Sequence, residues 1–157
     1  MRLILGSDKS GYTLRCALEG WLREAGYDLT IFGPGDAEEA VPFYETAARA
    51  ARALREGEAE RAILVCGTGT GVAQVANKFK GVRAACAESV YAAKMARAIN
   101  DSNVLCMGGW FIAPELGWQM ALAFLNTEFT EGLEPWRAEW LKGAKEKIAA
   151  LEDENFK

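Results

Sequence analysis

Histidine is missing from all 157 residues of the chain. Its absence excludes Ser–His and Cys–His catalysis, so any proton transfer falls to Cys, Asp, Glu, Lys or Tyr. A zinc site is not expected either, because the four cysteines (Cys16, Cys66, Cys86, Cys106) stand 20 to 50 positions apart with no C-x-x-C pair. Widely spaced thiols without partners point to a reduced, cytoplasmic setting. No apolar run approaches the roughly 18 residues of a membrane span. The opening Met1-Arg2-Leu3-Ile4-Leu5-Gly6 is too short for a signal peptide and reads as a first strand. There is no run of Lys and Arg, and the net charge is −4, which argues against a nucleic-acid partner. Repeats, low-complexity tracts and domain linkers are also lacking.

What is present is ordinary globular composition, half apolar and a quarter charged, in a length that fits one domain with a real core. Short apolar runs alternate with longer helical patterns. Strands are expected at Leu3–Gly6, Tyr27–Phe32, Arg61–Val65, Val82–Ala85 and Val104–Met107. Helices are expected near 12–25, 43–56, 72–80, 89–99, 113–125 and 136–152. Strict alternation implies an α/β fold: a single three-layer αβα, Rossmann-like domain around a five-stranded parallel sheet, because parallel strands need crossover connections. The expected strand order is 2-1-3-4-5. Residues 1–132 make the core domain, and 133–157 a helical extension that either packs on a neighbouring subunit through Trp136 and Trp140 or frays.

The chain is organised around Ile63-Leu64-Val65-Cys66-Gly67-Thr68-Gly69-Thr70-Gly71. Buried-strand sequence runs into a loop with glycine at every second position, and helix-forming sequence follows. Glycines let backbone N–H groups turn inward, and the helix start adds the positive end of its dipole. One reading is an anion cradle with a thiol at its lip, suited to a phosphate, a carboxylate or an enediolate oxygen. The other is a tight turn with a buried cysteine. The spacing lacks Gly-x-Gly-x-x-Gly, which disfavours a dinucleotide binder.

Further motifs join this one: Gly6-Ser7-Asp8-Lys9-Ser10-Gly11, Pro42-x-Tyr44, Ala76-Asn77-Lys78, Gly81-Val82-Arg83-Ala84-Ala85, Asn100-Asp101-x-Asn103-Val104-Leu105 and Pro114-Glu115-Leu116. In order and spacing the set resembles the ribose-5-phosphate isomerase B and galactose-6-phosphate isomerase family over about residues 1–132. The resemblance implies aldose–ketose isomerisation without metal or cofactor, through a cis-enediolate, with Cys66 as base and Thr68 as the loop hydroxyl. It implies that Gly67, Gly69, Thr70 and Gly71 cradle the substrate oxygens, and that Asp8 holds sugar hydroxyls. Asp8 also suits an N-cap, and Tyr44 either a site wall or core packing. Asn100 matches an asparagine delivered by a partner subunit, or else a C-cap, so a homodimer or tetramer with shared sites is expected. Some relatives use a glutamate after the last loop glycine; Val72 stands there, leaving Cys66.

The chain departs from the family at the anion and ring-opening positions. Lys9 replaces the usual histidine, Ile99 the ring-opening histidine, and Trp110 an arginine. The basic tail reads Gly132-Leu133-Glu134-Pro135-Trp136-Arg137, with only Arg137 left to serve. Isoleucine relays no proton, and each lost charge-assisted contact costs about 1.5–3 kcal/mol. The expected substrate is therefore a small sugar that is open-chain or opens readily and lacks the usual terminal phosphate. The alternative is a tetrose phosphate held by Lys9 and Arg137. Trp110 serves either as an aromatic wall for sugar C–H groups or as an interface or core residue. A non-catalytic sugar-binding member, or a partner subunit of a hetero-oligomeric isomerase, is the competing reading of these losses.

Overall fold

The computed structural model describes residues 1–156. Eleven elements follow one another: β1 (Arg2–Ser7), α1 (Tyr12–Glu24), β2 (Asp28–Phe32), α2 (Phe43–Arg55), β3 (Arg61–Cys66), α3 (Thr70–Ala76), β4 (Ala84–Cys86), α4 (Val90–Ala98), β5 (Val104–Gly108), α5 (Pro114–Leu125) and α6 (Pro135–Asn155). All strand pairings are parallel. Among the described residues no helix is long and apolar enough to cross a membrane.

The strand alternation sorts side chains into two cores. Leu3, Leu5, Ile63, Val65, Leu105 and Met107 face α1, α4 and α5, where Leu14, Leu18, Ala93, Met120 and Phe124 meet them. Ile4, Ala62, Leu64, Cys66, Val104 and Cys106 face α2 and α3. Ala47, Ala50 and Ala51 put only methyl groups between α2 and the sheet, so that helix packs closely. Apolar surface on both faces of β1, β3 and β5 is what a sheet covered by helices on both sides requires.

The strand order corrects the expectation. It is β2-β1-β3-β5-β4, not 2-1-3-4-5. The physical reason lies in the strands themselves: β5 is buried at every position, whereas Ala84, Ala85 and Cys86 of β4 are all partly exposed. The more apolar strand takes the inner place. Crossover handedness agrees, because right-handed connections that reverse direction change face. The path from β3 out to β4 puts α3 beside α2, and the return from β4 to β5 puts α4 on the opposite face with α1 and α5. The third helix also ends sooner than the sequence suggests. Asn77 caps it and turns its side chain to the edge strand, donating to the Ala84 carbonyl at 2.9 Å and accepting the Ala84 N–H at 2.8 Å.

α4 stops at a turn built on Asp101, which takes the left-handed conformation (φ 49°) that Asp tolerates better than most residues. Its N–H donates to the Arg97 carbonyl, and the next N–H, of Ser102, reaches back to Ala96. The Asp101 carboxylate then gathers three cations: Arg97 at 2.9 Å, Arg83 at 3.1 Å, and Lys145 of α6. Burial alone raises the pKa of this carboxyl, but the Lys145 hydrogen bond and the charges of Arg83, Lys145 and Arg97 outweigh it and hold the group below the usual carboxylate range. α6 is tied down further along by Glu152, which accepts the Gly81 N–H, and by the Lys80–Asp153 pair.

A depressed carboxylate stabilises the fold above its unfolded pKa of about 3.9, and the contribution is lost as pH falls through the folded value. Asp101→Ala is expected to destabilise by about 3 kcal/mol, since three cations lose their shared partner. Urea unfolding at neutral pH checks this, and the gap between the variant and the parent should close in acid.

Candidate active site

At the carboxyl end of the sheet three loops are stitched together through main-chain hydrogen bonds. Asp8, after β1, donates its N–H to the Val65 carbonyl at 3.2 Å. After β5, the Gly109 N–H reaches the Cys66 carbonyl at 2.7 Å and the Trp110 N–H the Gly67 carbonyl at 3.1 Å. A fourth segment joins through Thr46 in the first turn of α2, whose hydroxyl donates to the Ser7 carbonyl at 3.0 Å. These contacts enclose a cleft of about 190 Å³ lined by Asp8, Ser10, Phe43, Cys66, Gly67, Thr68, Gly71 and Trp110.

Cys66 ends β3 with only 5% of its surface exposed, yet its side chain lines the cleft. The Gly69 N–H donates to its Sγ at 3.2 Å, so the sulfur is oriented by the loop that follows it. Of the four cysteines it alone lines the cleft. Burial pushes the thiols of Cys86 and Cys106 up from their ordinary values, and both stay neutral. Gly69 sits at φ +78°, and a Cβ there would stand 2.8 Å from the Met107 backbone and 2.9 Å from the Cys86 sulfur. Only glycine makes this turn. The N–H groups of Gly67, Thr68 and Gly71 find no hydrogen-bond partner among the described residues, and all three residues face the cleft. That is a set of main-chain donors beside a thiol, the arrangement an enediolate oxygen needs.

Other expected site residues divide into two groups. Asp8 lines the cleft and also accepts the Gly11 N–H at 2.9 Å, so it serves both the turn into α1 and the cavity. The Thr68 hydroxyl lies at the cleft and accepts weakly from the Thr70 N–H, at 3.4 Å. Lys9 is exposed beside Asp8 and pairs with Glu38 at 3.2 Å. Trp110 lies flat against the loop; a Cβ on Gly67 would meet its indole at 2.6 Å. Tyr44 is exposed and packs edge-on against Phe43, their rings 5.6 Å apart, so Phe43 makes the cleft wall and Tyr44 buttresses it.

Asn100 and Arg137 lie elsewhere. Asn100 borders a larger, mostly apolar cavity of about 330 Å³ between α6 and the end of α4, with Ile99, Trp140 and Lys145. Arg137 is exposed in the first turn of α6. The larger cavity holds no thiol, and its Arg83 and Lys145 are engaged by Asp101, so the smaller cleft is the candidate site. Sequence reading overlooked Phe43 and Ser10. Their signal is positional: Phe43 opens a helix at the same rim as the glycine loop, and Ser10 shares the loop of Asp8. Among the described residues no group of three or more His, Cys, Asp or Glu is placed to hold a metal ion.

The family model described as Ribose/Galactose Isomerase matches residues 3–139. The chain belongs to this family. Over its whole length it is 54% identical to a 4-deoxy-4-sulfo-D-erythrose isomerase of Clostridium sp. (strain MSTE9), covering 99% of that protein. It is 33% identical to a D-erythrulose-4-phosphate isomerase of Pectobacterium atrosepticum, over 84% of this chain and 87% of the relative. The fold matches a ribose-5-phosphate isomerase B of Clostridium thermocellum with a TM-score of 0.89 and 32% identity, covering 98% of this chain and 99% of that one. As a member of the ribose/galactose isomerase family, the protein is an aldose–ketose isomerase acting on a sugar.

Gly69→Ala is expected to cost about 1–3 kcal/mol, through the disallowed φ and the collision with β5. Denaturant midpoints measure the loss.

Proposed function

We propose that the protein interconverts 4-deoxy-4-sulfo-D-erythrose and the corresponding 2-ketose, with Cys66 as the base. The observation that carries this reading is end-to-end similarity to an enzyme of that name. Three features of the chain support it. The first is Ile99, where the family's ring-opening histidine stands. With sulfonate in place of the C4 hydroxyl, a tetrose has no group with which to close a furanose, so no ring has to be opened. The second is charge: a sulfonate carries one negative charge, against about −1.5 to −2 for a phosphate ester at neutral pH. The residues lining the cleft carry no cationic side chain, and Lys9, next to Asp8 in the loop after β1, is already paired with Glu38. The third is size, since about 190 Å³ falls below the ~300 Å³ at which pockets for drug-sized ligands begin.

The chemistry is a balanced hydrogen shift. The Cys66 thiolate takes the proton from C2 of the aldehyde, and the electron pair moves into a C1–C2 double bond as O1 becomes anionic. The free N–H groups of Gly67, Thr68 and Gly71 stabilise that oxygen, the kind of interaction that dominates many such reactions. The thiol returns its proton to C1, the hydroxyl proton passes from O2 to O1 across the cis-enediolate, and the carbonyl is left at C2. Asp8 and Ser10 are placed to hold the remaining hydroxyls.

A second copy of the chain completes the site in this reading. Asn100 and Arg137 do not reach the cleft of their own chain, and α6 leaves Trp136 and Trp140 exposed at 71% and 66%. A homodimer, alone or paired into a tetramer, buries these indoles and brings the partner's polar side chains to the mouth. The four free thiols suit a cytoplasmic setting.

Incubation with 4-deoxy-4-sulfo-D-erythrose in deuterated water, followed by proton NMR, should show the ketose forming with label at C1. Cys66→Ala should lower kcat by about 10²–10⁴-fold; full turnover by that variant removes the cysteine from the mechanism. Lys9→Met should raise KM roughly tenfold with less effect on kcat, as expected for one charge-assisted contact to an anion.

A further inference from the structure

Two aromatic rings press on the glycine loop, one at each of its ends. Trp110 covers the first glycine: a Cβ on Gly67 would lie 2.6 to 2.9 Å from three indole carbons. Phe43 covers the last: a Cβ on Gly71 would meet its ring at 2.9 Å. Both line the cleft that holds Cys66. Neither is loosely placed. The Trp110 N–H is bonded to the Gly67 carbonyl at 3.1 Å, so the main chain holds the indole over the loop it covers. Phe43 starts α2, whose first turn is fixed to β1 by the Thr46–Ser7 hydrogen bond, and Tyr44 packs edge-on behind it. Between the rings lie the donors of the loop and the sulfur that the Gly69 N–H orients. The reacting carbons of the sugar therefore have a fixed station, and the length left for the rest of the chain is set by these two walls.

We propose that Trp110 and Phe43 are the specificity-determining residues for chain length, closing the cleft to sugars longer than four carbons. The inference rests on the isomerase reading above and deepens it. Each additional carbon must displace a ring or lift the reacting carbons off the loop. An aromatic wall also offers nothing to the hydroxyl that the extra carbon brings, so that group loses its water without gaining a partner. Discrimination by one carbon in an apolar pocket is worth about 10–200-fold. Trp110 is the more consequential of the two, because its other face is open, 71% of the residue being exposed, and removing the indole opens the cleft without breaking a core contact.

The test compares kcat/KM for two substrates that differ by one carbon and of which neither can close a furanose, 4-deoxy-4-sulfo-D-erythrose and its homologue with one further methylene between C3 and the sulfonate-bearing carbon, in the full-length protein. The parent should prefer the tetrose at least tenfold, and Trp110→Ala should narrow that ratio by about tenfold. Phe43→Ala should shift it in the same direction, and Trp110→Phe should keep most of the preference. A binding measurement that needs no turnover runs beside it: calorimetric affinities for the four- and five-carbon aldonates with a terminal sulfonate should show the same change in ratio. If both rates and both affinities fall together in the alanine variants, the rings are structural and the inference is overturned. A parent enzyme that turns over neither sugar overturns the isomerase assignment instead, and the two failures are told apart by the parent alone.

Discussion

The site depends on β5 lying directly against β3. That pairing puts Gly109 within 2.7 Å of the Cys66 carbonyl and delivers Trp110 onto the glycine loop. β1 holds the other flank, through Asp8 and the Val65 carbonyl. A central strand flanked by two parallel neighbours ends where three loops meet, and ligands of open α/β sheets bind at that rim. Had β4 taken the inner place, Cys86 and the residues after it would have bordered the thiol in place of an indole. The chemistry open to the cleft is thus a consequence of which strand was apolar enough to be enclosed.

Much of this was legible in the sequence, and what was not has identifiable causes. The strand–helix alternation, the glycine loop and the thiol at its lip follow from local pattern, because glycine at every second position after an apolar strand has few other physical uses. The exchange of β4 and β5 did not follow from the order of the elements. It was nevertheless present in composition: Val104-Leu105-Cys106-Met107 carries larger apolar side chains than Ala84-Ala85-Cys86. Phe43 escaped for a different reason. Tyr44 carries the recognisable hydroxyl, but at a helix start adjacent residues point about 100° apart, so only one of the pair can line the cleft. Asn77 shows the limit of periodicity: Lys78 to Lys80 continue a helical pattern, yet a side-chain amide that pairs with the edge strand is worth more there than another turn.

Charge placement separates the two halves of the molecule. Three cations converge on Asp101 at the end of α4, where they fix a turn and dock α6. The cleft at the Cys66 rim, by contrast, has an indole and no cationic side chain in its lining, and Lys9, next to Asp8, is paired with Glu38. A dianionic ligand gains little from such a lining, because none of its side chains is cationic and Lys9 is shared with Glu38. Neutral walls and main-chain donors favour a ligand whose charge is small or arises only during reaction. The enediolate of the proposed reaction is of that kind: its oxygen would become anionic at the moment the loop N–H groups are needed and is neutral before and after. A cradle of this sort stabilises the intermediate more than the substrate, which is the condition for acceleration rather than mere binding.

The Asp101 turn also bears on the proposed completion of the site by a second copy. Asn100 precedes the left-handed residue, whose carboxylate also anchors Lys145 of α6. α6 in turn carries Arg137 and the exposed Trp136 and Trp140. In the proposed dimer, both groups that a second copy would contribute lie on elements joined by this one ion-paired junction. Histidine-free proton transfer places heavy demands on such a frame. In the proposed reaction the thiol acts over a short distance only, and a misplacement of the sugar by about 1 Å would cost about 10²-fold in rate. The three-cation knot supplies rigidity at one of the points where α6 meets the domain.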